Sequence, residues 1–467
     1  MFDNNRATEI AAALQLRTAQ LQAGDRLPGV RALSSEFHAS AATVSAAIAE
    51  LRALGLVHAE PGRGTFVAAL PARTQDPDFS WQSQTLASAR VDPDRASRLG
   101  GYGTPEHLPL SFGYLAPELV ASEELQQAGA RAAKSPRGWA MTPPTGSADL
   151  RRLFASVYHA DPQDVLITPG GQQALAMAIR TLSEPGDSII VESPSYPGAI
   201  LAAQSAGLTL APVPADAEGI LLDGLADTLE RTRARLIYLQ PSFANPTGAV
   251  LSPERRAAVI ELATIHGAFI IEDDWARHLG LDGETPPPLS RNDPNGHVLT
   301  LTTLSKSVSP GLRIGAVVAR GPAGERLRAQ RPAEDLCVAP LMQETALALL
   351  SSPAWPRHLK RLRAALTIRR DALLEALWTG LPELRIPRTP QGGLHVWGRL
   401  PHGIDASAVS QAAYADGLIV GDGRHFFVDE PSGQFLRFSY GAATPAQIQS
   451  GVSRLARIME RVEHRTS

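Results

Sequence analysis

Apolar positions in the first seventy residues follow a helical period and then alternate as they do in strands. The stretch 7–22 places Ile10 and Leu14 on one helical stripe. A short second helix follows, and Ser40 is placed to cap a third helix that ends at Gly55. Two alternating runs, LVHAE and GTFVA, then flank the turn PGRG. Three helices followed by a hairpin predict a winged helix-turn-helix.

The pattern changes twice along the rest of the chain. Residues 70–105 hold four prolines and three glycines without a steady period, which is typical of a linker. Trp81 and Leu86 indicate that part of this linker docks on a domain. From there to the C-terminus, β-branched runs such as VLIT and FIIED alternate with helical stretches, which predicts a mostly parallel sheet with helices on both faces. We therefore predict a winged helix-turn-helix in 1–69, a linker, and an α/β domain in 106–467.

Composition narrows the class of protein. A chain of 467 residues suits two or three domains, and its net charge of −3 gives no global attraction to nucleic acid or anionic membrane. The single cysteine, Cys337, excludes an internal disulfide and suits a reducing compartment. No apolar run approaches the roughly 18 residues of a membrane span, and MFDNNRATEI lacks a signal peptide's apolar core. We expect a cytoplasmic protein with no membrane partner and no metal site.

Candidate chemistry begins with the stretch TLSKSVSPGLRIG. It contains Lys306, one of only three lysines in the chain. A lysine amine, unlike a guanidinium, can lose its proton and form a Schiff base with an aldehyde. Thr303 and Arg313 lie nearby in sequence, so lysine, hydroxyl and guanidinium together could hold a phosphorylated aldehyde. Alone, a loop lysine is more often simply solvated, which is the reading that fits Lys134 and Lys360.

Further polar residues occupy the predicted strand ends. Gly171 and Gln172, in TPGGQQAL, would present N–H groups to an anion at a helix N-terminus. Asp273 ends the apolar run FIIED and could pair with a protonated ring nitrogen, or could merely cap a helix. Asn245 lies in the turn ANPTG, and Tyr196 in SPSYPG offers a ring for stacking. The alternatives are an ordinary Asn-Pro turn and core packing.

These motifs, in this order, resemble the type I aminotransferases that bind pyridoxal 5′-phosphate, over about 360 residues. The resemblance implies an α/β fold with a large domain at about 150–350 and a small domain completed by 356–467. It also implies the cofactor contacts: Lys306 in the Schiff base, Arg313 and Thr303 on the phosphate with the Gly171 and Gln172 amides, Asp273 on the ring nitrogen, Asn245 on the ring O3′, and Tyr196 stacked on the ring.

The same resemblance extends to the substrate side and shows two departures. Arg437, in LRFSYG, matches the arginine that binds a substrate α-carboxylate. Trp275 stands where this subgroup has a tyrosine that reaches O3′. Met141 stands where a tyrosine reaches the neighbouring subunit's phosphate, although Trp139 could shift into that role. Both changes count against efficient transamination, and neither prevents cofactor binding.

The N-terminal stretch from LPGVRALSSEF to PGRGTFVA resembles the GntR winged-helix family. That resemblance implies that the third helix enters the major groove with Ser40, Thr43 and Ser45 near DNA. Arg63 at the wing tip would approach the minor groove, and Arg31 would contact phosphate. The combination with an aminotransferase-like domain is similar to the MocR subfamily of GntR regulators, which includes the GabR-like proteins. It implies a homodimer that binds double-stranded operator DNA under the control of cofactor or an amino compound.

The residues leave several functions open. The leading hypothesis is a transcriptional regulator that senses pyridoxal phosphate, or an amino compound through it. The alternative is a working aminotransferase with an accessory winged helix, which the winged helix, Trp275 and Met141 count against. A third hypothesis, a DNA-binding protein with a vestigial lysine site, is disfavoured by the set Lys306, Asp273, Asn245 and Arg313. The winged helix could also serve as a protein-contact module.

Overall fold

The structure is a computed structural model that describes residues 2–68, 78–100, 104 and 106–466. It divides into two compact units, Met1–Ser88 and Ala89–Ser467. The division lies inside the stretch predicted as a linker, so residues on either side of it belong to different units.

The N-terminal unit contains three helices, a hairpin and a short fourth helix. Its elements are α1 Phe2–Thr18, α2 Val30–Glu36, α3 Ala41–Ala53, β1 Val57–Glu60, β2 Gly64–Val67 and α4 Ser80–Thr85. Leu14, Leu33, Val44 and Leu51 are fully buried where the first three helices meet. The two strands pair antiparallel from Val57 with Val67 onward. The predicted winged helix-turn-helix order is confirmed.

The C-terminal unit alternates helices and strands along most of its length. Its elements are α5 Pro93–Gly100, β3 Leu108–Pro109, α6 Ser122–Lys134, α7 Ala148–Tyr158, β4 Val165–Thr168, α8 Gly171–Leu182, β5 Ser188–Ser193, α9 Pro197–Ser205, β6 Thr209–Asp216, β7 Gly219–Ile220, α10 Leu222–Thr232, β8 Leu236–Leu239, α11 Pro253–His266, β9 Phe269–Asp273, β10 Val298–Thr303, β11 Gly315–Val318, α12 Gly321–Asp335, α13 Pro340–Leu350, α14 Ala354–Gly380, β12 His395–Arg399, α15 Ala406–Ala415, β13 Leu418–Ile419, β14 Gly421–Asp422, β15 Phe435–Ser439 and α16 Pro445–Thr466.

The central sheet is mostly parallel, as predicted. Its eight strands lie in the order β4-β11-β10-β9-β8-β5-β6-β7. The five neighbours from β10 to β6 run parallel, whereas β11 pairs antiparallel with both β10 and β4. Because β10 and β9 are parallel neighbours, the residues that follow them meet at one edge of the sheet.

Helices cover both faces of this sheet. Ile189 packs with α8 and α9 on one face, and the next residue, Ile190, packs with α10 and α11 on the other. Such alternation within a continuous apolar run is typical of a strand buried on both sides. The C-terminal part adds a three-stranded sheet, β12-β15-β14, whose core includes Val396 and Phe438. This smaller sheet carries the second half of the site.

We predicted that the linker docks on a domain through Trp81 and Leu86, and this prediction was wrong for these two residues. Trp81 and Leu86, on and just after α4, are largely exposed, with 59% and 72% of their surface accessible. Instead, α5 packs near α9, and Arg95 donates from Nη2 to the main-chain oxygen of Phe427 at 2.8 Å. A polar contact to main chain fixes this stretch, so apolar residues were a poor guide to it.

None of the helices in the described ranges is long and apolar enough to cross a membrane.

Candidate functional site

Lys306 lies just beyond β10, in the loop that returns through β11. Its Nζ donates to the carbonyl oxygen of Gly113 at 2.8 Å and lies 3.4 Å from the ring centroid of Tyr114. Burial, and then the positive charge of Arg437, lower the pKa of Lys306 to about 7, while Asp273 opposes that shift. A large neutral fraction at neutral pH makes this amine a nucleophile.

Asp273 ends β9 and faces the same space. Its Oδ2 accepts from the Tyr238 hydroxyl at 2.7 Å and from Gln240 Nε2 at 2.8 Å. Burial raises the pKa of Asp273 to about 6, against the effect of the two hydrogen bonds and of Lys306. The carboxylate therefore remains mostly ionised at neutral pH, as pairing with a cationic group requires.

Arg437 approaches from β15 of the smaller sheet. Its Nη2 donates to the carbonyl oxygen of Ser111 at 2.6 Å, and its Nη1 donates to Asn245 Oδ1 at 3.2 Å. The guanidinium carbon lies 4.9 Å from the centroid of the Phe426 ring. Burial lowers the pKa of Arg437 to about 10, so it stays charged. Its hydrogen bonds with the described residues all go to neutral groups.

A compact cradle forms where α8 begins. Gly170 has φ +94, and a Cβ there would lie 2.8 Å from Arg313 Nη2. Arg313 donates from that nitrogen to the carbonyl oxygen of Pro169 at 2.8 Å. A Cβ on Gly171 would lie 3.5 Å from the Cβ of Thr303. A guanidinium, a hydroxyl and the first N–H groups of a helix thus converge, which is an anion-binding arrangement.

Tyr196 is fixed beside this cradle. Its hydroxyl donates to Gln172 Oε1 at 3.1 Å, and Gln172 Nε2 donates to the carbonyl oxygen of Gly198 at 2.9 Å. A Cβ on Gly198 would meet the Tyr196 ring at about 2.4 Å, so glycine is needed for the ring to lie there. The side chain of Gln172 therefore holds Tyr196, while its main chain lies in the first turn of α8.

Trp275 and His395 contribute two buried rings with polar atoms. Their centroids are 5.6 Å apart. Among the described residues, neither Trp275 Nε1 nor His395 Nδ1 has a hydrogen-bond partner, although both atoms are buried. Burial, helped by Arg437 and Lys306, holds the pKa of His395 well below its usual range, so the imidazole is neutral. Buried polar atoms without partners are uncommon in native proteins and indicate a place for a ligand.

One cavity of about 1100 Å³ brings these groups together. Every residue predicted for the cofactor or effector lines it: Gly171, Gln172, Tyr196, Asn245, Asp273, Trp275, Thr303, Lys306, Arg313 and Arg437. Several other lining residues were not predicted, among them Ser111, Gly113, Tyr114, Arg95 and His395. The only available signal for His395 was a polar residue at the start of the otherwise apolar run HVW, beside a glycine turn.

Met141 and Trp139 do not line this cavity. They are exposed, with 78% and 70% of their surface accessible. The indole of Trp139 donates to the carbonyl oxygen of Ala133 at 2.8 Å. Neither side chain contributes to the site within a single chain.

The residues predicted to read DNA lie on α2, on α3 or at its N-cap, and in the hairpin turn. Arg31 and Ser45 are exposed. Ser40 caps α3 by accepting from the Thr43 N–H at 3.1 Å, and its hydroxyl is 2.7 Å from the Thr43 hydroxyl. Thr43 is only 6% exposed, so its hydroxyl serves the cap.

The wing residue Arg63 is paired within its own hairpin. It is 75% exposed along its side chain, yet its Nη1 lies 2.5 Å from Glu60 Oε2. Its guanidinium carbon also lies 5.9 Å from the centroid of the Phe66 ring. An exposed ion pair of this kind is weak, so Arg63 can turn toward another anion at little cost.

In the described ranges, no group of three or more His, Cys, Asp or Glu side chains is arranged to hold a metal ion.

Two protein families match different parts of the chain. The family described as aminotransferase class I and II matches residues 113–455. The family described as bacterial regulatory proteins, gntR family, matches residues 7–67. Together the two matches account for both units.

Known relatives fall into the same two groups. The uncharacterized HTH-type transcriptional regulator YdfD of Bacillus subtilis is 30% identical over 455 residues, covering 95% of this chain and 93% of that protein. The 2-aminoadipate transaminase of Thermus thermophilus is 34% identical over 363 residues, covering 76% of this chain and 91% of that enzyme. Full-length similarity is to a regulator, and partial similarity is to an enzyme.

A solved structure supports the fold. The α-aminoadipate aminotransferase LysN from Thermus thermophilus, complexed with N-(5′-phosphopyridoxyl)-L-leucine, superposes with a TM-score of 0.77 at 32% identity. The superposition covers 82% of this chain and 99% of that one. The predicted fold class, a winged helix-turn-helix with a type I aminotransferase fold, is confirmed.

Proposed function

We propose that this chain, which belongs to the aminotransferase class I and II family and carries a gntR-family segment ahead of it, is a DNA-binding transcriptional regulator. Its aminotransferase-like unit binds pyridoxal 5′-phosphate and senses an amino compound through that cofactor. The observation that carries the proposal is one cavity containing Lys306, Asp273 and Arg437 in a chain that begins with a winged helix. The amine of Lys306 suits the aldehyde of the cofactor, and the partly buried Asp273 carboxylate suits its protonated ring nitrogen. The partly buried guanidinium of Arg437 suits the carboxylate of an amino acid.

The cavity fits this cofactor on physical grounds. The glycines at the start of α8 allow Arg313 and Thr303 to approach a phosphate together with the first helix N–H groups. The unpartnered Nε1 of Trp275 is a donor suited to a ring oxygen. Arg437 is a partly buried cation whose described hydrogen-bond partners are all neutral, which suits a ligand carboxylate.

When bound, pyridoxal phosphate supplies an aldehyde and an electron-withdrawing ring. Lys306 would hold the aldehyde end of the cofactor, because a pKa of about 7 leaves much of its amine neutral at neutral pH. Asp273, held by Tyr238 and Gln240, is placed to keep a proton on the ring nitrogen. Asn245 accepts from Arg437 through Oδ1, which leaves its amide N–H₂ as the donor for the ring oxygen. Tyr196, held by Gln172, would pack against the ring.

The N-terminal unit supplies the DNA contact. We assign Ser45 on α3 to the major groove, and Arg31 and Arg63 to phosphates and the wing contact. Ser40 and Thr43 form the cap at the start of α3, and we expect this end of the helix to lie near DNA. Because the hydroxyl of Thr43 is buried, Thr43 contributes by holding the start of the helix in place. A regulator of chromosomal DNA acts in the cytoplasm, which is where the proposal places the chain.

The proposal includes a homodimer. The exposed Trp139 and Met141 are large apolar side chains of the kind found at protein–protein contacts. Pairing two copies would also raise the affinity for a two-half-site operator. Sedimentation equilibrium measures this directly, and a protein that stays monomeric at micromolar concentration would remove the dimer from the account.

A borohydride experiment tests the cofactor site. The protein incubated with pyridoxal phosphate should turn yellow, and reduction with borohydride followed by peptide mapping should place the label on Lys306. Lys134 and Lys360 serve as internal controls, because neither of these lysines lines the cavity. Label on either control lysine, or absence of label, contradicts the proposal.

A second function, aminotransferase activity, is favoured by the completeness of the cavity and by the similarity to the transaminase. The test is turnover of L-2-aminoadipate with 2-oxoglutarate, followed as amino-group transfer over many cycles. We expect at most one half-reaction per site, since Trp275 and Met141 stand where the aminotransferase resemblance has tyrosines. Sustained turnover would make the chain an enzyme with an accessory winged helix.

A further inference from the structure

The segment Ser111–Tyr114 forms part of the cavity wall and contacts both of its central cations. The carbonyl oxygen of Ser111 accepts from Arg437 Nη2 at 2.6 Å. Two residues later, the carbonyl oxygen of Gly113 accepts from Lys306 Nζ at 2.8 Å. The groups that would bind a cofactor and a carboxylate thus also hold a length of main chain in place.

This segment lies between two fixed points. The Ser439 N–H donates to the carbonyl oxygen of Leu110 at 2.6 Å on one side. The Ala116 N–H donates to the carbonyl oxygen of Gly441 at 2.8 Å on the other. The segment is therefore a short span anchored at both ends, and the cation contacts fix its middle. The segment and both of its anchors lie inside the C-terminal unit, Ala89–Ser467.

The donors of Arg437 are nearly all in use. A guanidinium has five N–H groups. With the described residues it makes four hydrogen bonds: Nε to Ser111 Oγ at 3.3 Å, Nη2 to Ser111 Oγ at 3.1 Å and to Ser111 O at 2.6 Å, and Nη1 to Asn245 Oδ1 at 3.2 Å. A carboxylate held in the two-pronged geometry needs two parallel N–H groups. Such a ligand must therefore displace Ser111, Asn245 or both.

Ser111 is the partner that can yield. Asn245 is buried, and its main-chain N–H donates to Gln240 Oε1 at 2.8 Å, which fixes the turn that carries it. The Ser111 hydroxyl is a neutral acceptor, and a carboxylate forms hydrogen bonds to a guanidinium that are about twice as strong as those of neutral groups. A ligand carboxylate should thus replace Ser111 on the Nε–Nη2 edge.

We propose that Ser111 is the positioning residue through which an effector acts: an effector carboxylate displaces Ser111 from Arg437 and thereby frees the middle of the Ser111–Tyr114 segment. The proposal rests on the proposed cofactor and regulatory function. It assigns the effector to the α-amino acids and excludes simple amines as full effectors, because only a carboxylate competes for Arg437. The freed segment then gives this part of the cavity wall a ligand-dependent state.

A pair of probes tests this in the full-length protein loaded with pyridoxal phosphate. L-Alanine and ethylamine both carry an amine, and only L-alanine carries a carboxylate. Apparent dissociation constants come from the change in the cofactor's visible absorption. In Ser111→Ala, L-alanine should bind roughly three- to tenfold tighter, because the hydroxyl contacts to Nε and Nη2 are gone and only the main-chain carbonyl still competes. Ethylamine should bind as it does to the wild type.

Ser410→Ala is the matched control. Ser410 lines the same cavity, but its hydroxyl donates to the carbonyl oxygen of Val420 at 3.0 Å and makes no contact with Arg437. It should leave both constants unchanged. If Ser111→Ala weakens L-alanine binding, Ser111 prepares Arg437 for the ligand instead of competing with it, and the proposal is overturned.

Hydrogen exchange on the wild type provides a readout that does not depend on the variant folding. Peptides covering 106–116 should exchange faster with L-alanine than with ethylamine. Equal or slower exchange with L-alanine would show that the ligand does not free the segment, and would sink the proposal. Failure of the proposed function has a different signature, because then the wild type shows no change in cofactor absorption with either probe.

Discussion

Lys306 is a partly buried amine with Arg437 and Arg313 as neighbouring cations and Asp273 as a neighbouring carboxylate. Because its pKa is lowered from its ordinary value to about 7, the ammonium dominates below pH 7 and the neutral amine dominates above it. The rate at which cofactor-free protein attaches pyridoxal phosphate should therefore rise from pH 6 to about pH 8 and then level off. Stopped-flow absorbance measures this rate.

The control for this profile is Asp273→Asn. The carboxylate of Asp273 raises the pKa of Lys306, so its loss should move the plateau to lower pH. A rate that climbs about tenfold per pH unit up to pH 9.5 in the wild type would mean an ordinary, solvated lysine. That result would contradict the claim that burial lowers the pKa of Lys306.

Gly170 tests the anion cradle. Gly170→Ala puts a Cβ 2.8 Å from Arg313 at φ +94, so it should weaken cofactor affinity at least tenfold as well as straining the backbone by about 1–2 kcal/mol. Gly186→Ala is the matched control, because it has φ +98 but nothing within 4 Å of the added atom. Both variants should lose similar stability in thermal denaturation, and only Gly170→Ala should lose cofactor affinity in spectrophotometric titration. Equal affinity in the two variants would place the phosphate elsewhere.

Which site residues could be predicted from sequence depends on what kind of group they use. Asp273 and Lys306 could be placed because residues after parallel strands meet at one sheet edge. Gly113 could not, because it acts through a main-chain carbonyl that every residue possesses. Ser111 could not be predicted either, because a serine is not in itself a sign of a binding site. Its role depends on contact with Arg437, which lies 326 positions away in the chain.

In helix α3, too, features set by neighbouring residues could be predicted from the sequence, whereas features set by distant residues could not. The cap by Ser40 follows from local backbone chemistry and was predicted. The burial of Thr43 comes from packing within the N-terminal unit, which the helical period alone did not resolve. The docking of α5 was missed because Arg95 reaches a carbonyl oxygen on a loop that lies 332 positions away.

Substituting Ser40, which precedes α3, and Ser45, which lies on α3, distinguishes residues that stabilise the N-terminal unit from residues that contact DNA. Ser40→Ala removes the cap and should lower the stability of the N-terminal unit by about 1 kcal/mol. Ser45→Ala changes an exposed position and should leave stability within about 0.5 kcal/mol while weakening DNA binding. Thermal denaturation and fluorescence anisotropy on the chain's own upstream DNA measure the two effects. Unchanged DNA affinity in Ser45→Ala would favour a protein-contact role for the winged helix.

The whole chain joins a winged helix to a cavity with the groups of a pyridoxal phosphate site. The general plan was predictable, because alternation of apolar strands and helices fixes a parallel sheet and helix-plus-hairpin order fixes the winged helix. The influence of one unit on the other could not be predicted from the sequence, because such coupling depends on which contacts change when the cavity is filled. The central claim is that filling the cavity at Lys306 changes the affinity for DNA.

Fluorescence anisotropy with the chain's own upstream DNA tests that claim most directly. Apparent dissociation constants are measured with and without saturating pyridoxal phosphate for the wild type, Lys306→Ala and the control Lys134→Ala, which alters a lysine outside the cavity. The cofactor should shift the DNA dissociation constant about fivefold or more in the wild type and in Lys134→Ala, a coupling of the usual allosteric size, and should have no effect in Lys306→Ala. An identical DNA affinity with and without cofactor in the wild type, or the same shift in Lys306→Ala, would contradict the account.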